Sequence, residues 1–495
     1  MANIDFNQMI SRLSFEKRAF ICENISRNRL SPTGPVSPQK LSGKREPYNF
    51  ELELIAFHSV LIQETEIDYY LPSVWMKRVT NILRQQTDYI NKYNKDGREK
   101  AWASVALTQF HGQQNYTFLF YRYHHIFTYR NASLDMNKEF YNRFGVDFSD
   151  YMNFTFCCQL WVKSSLKTFH ELSMCFLPKM IKILNQLSSS REEMKNNYCG
   201  LMGEDNNLSI TDLNLLLVTP FIKHRNLFYC PYVPYIPYAC TESLMFAITQ
   251  GNNSLREKIG KNAIESYVNK LVNESKVTNC YTIHEEFEYI YKKNKELSSD
   301  VIVHSNTHIL FIETKFFNQN LKVRSFDDVT IHETKMRLAK GIRQLYIAIS
   351  KAKDGALNNN INCAHVLKSY GFLVIYDEFS FSKLDSYDWA KDILQNEGYQ
   401  VTIDDLMNLI VILPLSSLES ILCYSSDDIF TFCNLLFQDK KMIDNKIYLP
   451  FHKYENITNI PDLEKFMQSA LACFKNDIVN LINFDACNYL INIVI

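Results

Sequence analysis

The chain has 495 residues, enough for two or three domains with substantial cores. With 46% hydrophobic and 22% charged residues it has the make-up of a folded protein, not a disordered one. A net charge of −1 carries no global signal for nucleic acid, although a local basic face is enough to neutralise phosphates.

The 13 cysteines include no CxxC pair, and Cys157–Cys158 are adjacent, unlike zinc ligands. Met1–Leu30 mixes charged with apolar residues and so does not resemble a secretory signal. No run approaches the roughly 18 apolar residues of a membrane span. Reduced thiols and a cytoplasmic protein are the expectation.

In chain order, Met1–Leu30 reads as helical and Ser31–Pro47 as a Pro- and Ser-rich loop. Phe50–Thr65 alternates like a strand. Ser73–Tyr93 reads as a helix with Val74, Val79, Ile82 and Leu83 near one stripe. Tyr116–Arg130 is dense in aromatic and β-branched residues, which predicts a strand or hairpin arm, and Lys163–Leu187 returns to a helical pattern. Ser188–Asn207 is polar and predicts a linker. Pro220–Cys240 holds Pro220, Pro231, Pro234 and Pro237, which predict an extended connector. Leu215–Val218 and Leu409–Leu413 read as short buried strands.

Beyond residue 250 the pattern becomes regular. Ser254–Asn273 predicts a helix with Leu255, Ile259, Ala263, Tyr267 and Leu271 on one stripe. Glu285–Tyr291, Val301–Val303 and His308–Phe316 predict strands, Glu333–Lys353 a helix with Leu338, Ile342, Leu345 and Ile349 inward, and Gly371–Tyr376 a buried strand. Helix, three strands, helix and strand in that order indicate an α/β arrangement around a mixed sheet. The N-terminal part predicts a mixed α+β domain of unassigned fold. The expected division is 1–190 as a regulatory or partner-binding domain and 191–250 as a Pro/Tyr-rich connector. A catalytic domain then takes 251–435, and a helical segment 436–495.

The chemistry concentrates in Ser299-Asp300-Val301-Ile302-Val303 and in His308–Lys315, which ends Glu313-Thr314-Lys315. In a strand, residues i and i+2 share a face, so Glu313 and Lys315 point the same way. A turn at His304–Thr307 folds Asp300 back beside the end of the next strand. Two carboxylates and an ammonium group then meet at one sheet edge, a set suited to phosphodiester hydrolysis with a divalent cation. Glu333-Thr334-Lys335 repeats the tripeptide inside a predicted helix, without an apolar strand before it.

Asp300, a short turn, an apolar strand and Glu313-x-Lys315 together resemble the PD-(D/E)xK nucleases over about residues 250–380, with Ser299 in the place of the proline. The resemblance implies a PD-(D/E)xK-like mixed sheet flanked by helices and a Mg²⁺-dependent endonuclease, with Mn²⁺ as substitute. It implies Asp300, Glu313 and the Thr314 carbonyl as metal ligands and Lys315 as the group that orients or deprotonates the attacking water. It further implies Glu265 on the preceding helix and Gln344 on the following one as site residues. DNA is the expected substrate and RNA the alternative; a role as effector of a prokaryotic anti-phage system and a homo-oligomer follow by analogy. A catalytically inactive scaffold of the same fold is the rival. Without a GxxxxGK[ST] loop, any ATP-driven step or trigger would come from a partner protein.

Among weaker signals, Lys322, Arg324, Arg337, Lys340, Arg343 and Lys351 are candidates for a phosphate-binding rim. Arg122 and Arg130, among aromatics, are candidates for base stacking, with core packing the stronger expectation. His58, His111, His124 and His125 lack the spacing of a metal-ligand set.

Overall fold

The computed structural model describes residues 5–30, 47–65, 70–87, 116–164, 166–202, 214–275, 281–317, 327–363, 365–377, 381–424, 429–438 and 461–483. The expected loop up to Pro47 lies almost wholly outside these residues, as do Lys322, Arg324 and His111.

From residue 5 to residue 186 the described chain is helical apart from turns and isolated bridges. Two expected strands are helices: Asn49–Leu61 and Tyr116–Thr128. Every residue from Glu51 to Leu61 is buried, so the segment is apolar around its circumference. A helix buried on all sides shows no 3.6-residue stripe, and residue-by-residue polarity then mimics a strand. The aromatic Tyr116–Thr128 segment packs Phe118, Leu119, Tyr123 and Phe127 into the same core, and burial overrides its strand propensity. On Pro72–Thr87 the inward residues are Trp75, Met76, Val79 and Leu83, while Val74 is exposed. The single helix expected over Lys163–Leu187 is instead the end of Phe148–Lys163, then Phe169–Ser173, then Pro178–Gln186.

Glu53, on the Asn49–Leu61 helix, is 1% exposed and accepts a hydrogen bond from Asn214 Nδ2 at 3.0 Å. Burial pushes its carboxyl up to about 7 from the ordinary 4.5. The folded state therefore holds this proton more tightly than the unfolded chain. The associated stability is complete below pH 4.5 and is lost as pH rises to about 7. Glu53→Gln keeps the neutral shape at every pH. The variant should gain on the order of 3 kcal/mol over wild type between pH 4 and pH 8, read from parallel thermal melts.

The expected linker and connector are folded. Ser188–Ser190 is a strand (β1) and Arg191–Met202 a helix. β1 pairs in parallel with β2 (Phe221–His224), which forms a hairpin with β3 (Leu227–Tyr229). Residues 230–240 are buried throughout. Pro234 and Pro237 sit in the first turns of Val233–Tyr235 and Ile236–Ala239, where a missing N–H costs nothing, so these prolines start short helices instead of preventing them. Leu215–Leu217 is a 3₁₀ turn, not a strand.

The larger sheet contains β4 (Thr282–Glu285), β7 (Val301–His304), β8 (His308–Lys315), β9 (Lys368–Ile375) and β10 (Ile410–Pro414), following the β5–β6 hairpin (Glu288–Tyr291, Asn294–Leu297) in sequence where β4 ends. Its spatial order is β10-β9-β8-β7-β4, with β4, β7 and β8 antiparallel and β8, β9 and β10 parallel. It is thus a mixed open sheet of an α/β arrangement. The Asp328–Lys353 helix makes the β8–β9 crossover and buries Leu338, Ile342, Leu345 and Ile349, as its sequence predicts.

Alternation along β8 divides the protein's core. Leu310 and Ile312 join one buried cluster running from Phe6 to Ile482, whereas Ile309 and Phe311 join a second with Leu338, Leu345 and Leu373. Nine described cysteines are free, but Cys175 is disulfide-bonded, a departure from the all-reduced expectation. Among the described residues, no helix is long and apolar enough to cross a membrane.

Candidate functional site

The antiparallel register Val301↔Ile312, carried one residue further, sets Asp300 across from Glu313. A turn at Ser305–Thr307, closed by Ser305 N–H donating to the His308 carbonyl at 2.8 Å, returns the chain for this pairing. Asp300 Oδ2 accepts the Thr314 amide proton at 2.6 Å, which fixes the carboxylate against the strand. Thr314 contributes backbone here, since its side chain is buried on the opposite face from Glu313.

Glu313 is only 3% exposed, so an exposed surface ion pair at a strand end does not describe it. Its Oε1 accepts two hydrogen bonds, from Lys315 Nζ at 2.7 Å and from Gln344 Nε2 at 2.6 Å. Its Oε2 is buried without a hydrogen-bond partner. Gln344 reaches it because the Asp328–Lys353 helix lies close to the sheet: a Cβ at Gly341 would stand 2.7 Å from Leu373 Cδ1.

Glu265 begins the Glu265–Glu274 helix directly after a π-helical turn, Ile259–Ile264. The apolar stripe explains this turn. Its members recur every four residues, wider than the 3.6 of an α-helix, and a wider turn keeps them in register with the core. At Gly260 the helix approaches Phe316, whose Cβ would lie 3.0 Å from an added methyl. Burial first, and then Asp300, Glu286 and Glu313, push the Glu265 carboxyl up to about 8. Burial and the Glu313 charge raise Asp300 to about 7, against the lowering effect of the Thr314 amide and Lys315. Glu313 is likewise raised by burial, with Lys315 and Gln344 opposing.

The sequence candidates Asp300, Glu313, Lys315, Glu265, Gln344 and the Thr314 backbone therefore converge. Glu286 is an addition. It follows β4 directly, and its charge acts on Asp300, Glu313 and Glu265. Its only sequence signal was a run of glutamates in a stretch expected to be one strand, which in fact breaks between β4 and β5. Among the described residues, no three His, Cys, Asp or Glu side chains are grouped tightly enough to hold a metal as they stand. The donor set nevertheless fits a hard divalent cation. Neighbouring carboxylates hold each other's protons, and one buried carboxylate oxygen lacks a donor.

The other candidates are sorted by their partners. In the repeated tripeptide, Lys335 lies within a helix and pairs with Asp385 at 2.7 Å. Arg343 pairs with Glu397 and Lys351 with Glu296, so both serve helix packing. Arg122 is 2% exposed and bound to Glu419, which removes it from any base-stacking surface, and Arg130 pairs with Asp135. His124 and His125 lie on a helix, not a strand. No family model, no curated protein and no solved structure matches this chain.

Proposed function

We propose that this protein is a metal-dependent endonuclease that hydrolyses phosphodiester bonds, with DNA as preferred substrate and a PD-(D/E)xK-like catalytic fold. The observation that carries the reading is Asp300 facing Glu313 at the end of the central strand, with Lys315 and Gln344 both on Glu313 Oε1. A buried carboxylate among other carboxylates is costly for folding alone, and such groups cluster at functional sites.

Asp300 and Glu313, with Glu265 and the Thr314 carbonyl, would hold Mg²⁺ or Mn²⁺, which when bound supplies Lewis-acid polarisation of the phosphate and a more acidic water. Lys315, with 32% of its side chain exposed, is the group able to reach solvent and orient the attacking water. Gln344 fixes Glu313 in one rotamer. Thr314 N–H holds Asp300 in place.

The test is incubation of the purified chain with linear, circular and single-stranded DNA and with RNA, in Mg²⁺ or Mn²⁺, beside Glu313→Ala. Cleavage that needs metal and disappears in the variant is the expected result. Cleavage unchanged in the variant would place the chemistry elsewhere. Absence of both cleavage and divalent-metal binding would favour the scaffold alternative.

A further inference from the structure

Two arginines from different helices meet beside this site. Arg256, on Asn253–Lys258, has its guanidinium 5.6 Å from the centre of the Phe316 ring, and Phe316 is the residue after Lys315. Burial and the positive charge of Arg337 both disfavour the charged form of Arg256, with Asp377 opposing them, so Arg256 and Arg337 are electrostatic neighbours. Arg337 lies on the exposed face of the Asp328–Lys353 helix with Lys340 and Gln344. Seven residues of helix put Arg337 about 10 Å from Gln344 along the axis.

The cationic row Arg337–Lys340 thus leads along one wall to Gln344 and Glu313, while Arg256 stands on the opposite wall, ahead of Glu265 on the same helical stretch. Two like charges converging at a half-buried position are a poor structural device, because each raises the cost of the other. An anion between them removes that cost. The remaining rim cations, Lys335, Arg343 and Lys351, are each matched to a carboxylate and do not share this feature.

We propose that Arg256 and Arg337 form a phosphate clamp that grips the backbone of a polynucleotide strand next to the bond placed at Glu313. This assignment rests on the nuclease reading above and extends it to how the strand is held. Arginine suits the role because its planar fork gives paired hydrogen bonds to phosphate oxygens. Backbone contacts of this kind add affinity without reading sequence.

The experiment measures binding of the full chain to a short labelled single strand and to its duplex, by fluorescence anisotropy in EDTA, across a salt series. Arg256→Gln and Arg337→Gln should each flatten the slope of log Kd against log salt by about 0.7 on single strand or 0.9 on duplex. Arg256→Lys, which keeps the charge, should retain most of the slope, whereas loss through misfolding would affect it equally. Arg343→Gln, at an arginine already paired with Glu397, should leave the slope unchanged. Wild-type slopes in Arg256→Gln and Arg337→Gln, in a protein that still cleaves in a Glu313-dependent way, would overturn the clamp and leave the nuclease. A wild-type chain that neither binds nor cleaves any polynucleotide would overturn both.

Discussion

Lys315→Met should lower metal-dependent cleavage by about 10² to 10⁴-fold while leaving divalent-metal binding near its wild-type strength. The ammonium donates to Glu313 at 2.7 Å, but Gln344 donates to the same oxygen and would keep the carboxylate in position without it. Glu313→Gln should behave differently and lose both cleavage and metal binding, since it removes a charged oxygen donor. It also relieves repulsion with Asp300 and the isolation of a buried oxygen, so its thermal midpoint should rise above that of wild type. Activity assays, metal titration calorimetry and melts on the same two proteins provide the check. Loss of metal binding in Lys315→Met, or a fall in midpoint in Glu313→Gln, would contradict the assigned roles.

Glu419→Ala should destabilise the protein by about 3–5 kcal/mol. Arg122 and Glu419 are each 2% exposed and share two hydrogen bonds, at 2.7 and 2.6 Å. The Tyr267 hydroxyl donates to the same carboxylate at 2.8 Å. Removing Glu419 leaves a guanidinium buried without its counter-charge, whereas Arg122→Met with Glu419→Leu removes both charges and should recover most of the loss. The pair joins the Tyr116–Thr128 helix to the Leu415–Tyr424 helix, and Tyr267 extends it to the helix carrying Glu265. Glu419→Ala should therefore also weaken cleavage in whatever protein remains folded. Parallel melts of the single and double variants decide the case, and a double variant as unstable as the single one would refute it.

The chain's local pattern by itself determined the strands and helices around the site. An apolar run ending in Glu313-Thr314-Lys315 has a two-residue period, and that period alone puts Glu313 and Lys315 on one face. A turn between two short apolar runs then brings Asp300 back beside Glu313, and the four-residue spacing of the stripe from Leu255 to Leu271 marked its helix. Tertiary structure decided what periodicity does not encode. Asn49–Leu61 and Tyr116–Thr128 are buried all round, so their polarity carries no helical stripe, and only the surrounding core made them helices. Pro234 and Pro237 start helices because the chain enters them at the first turn. Glu286 and Arg256 belong to the site's surroundings only because separate elements converge there. Their distance from Glu313 in sequence hides an electrostatic proximity that folding alone creates.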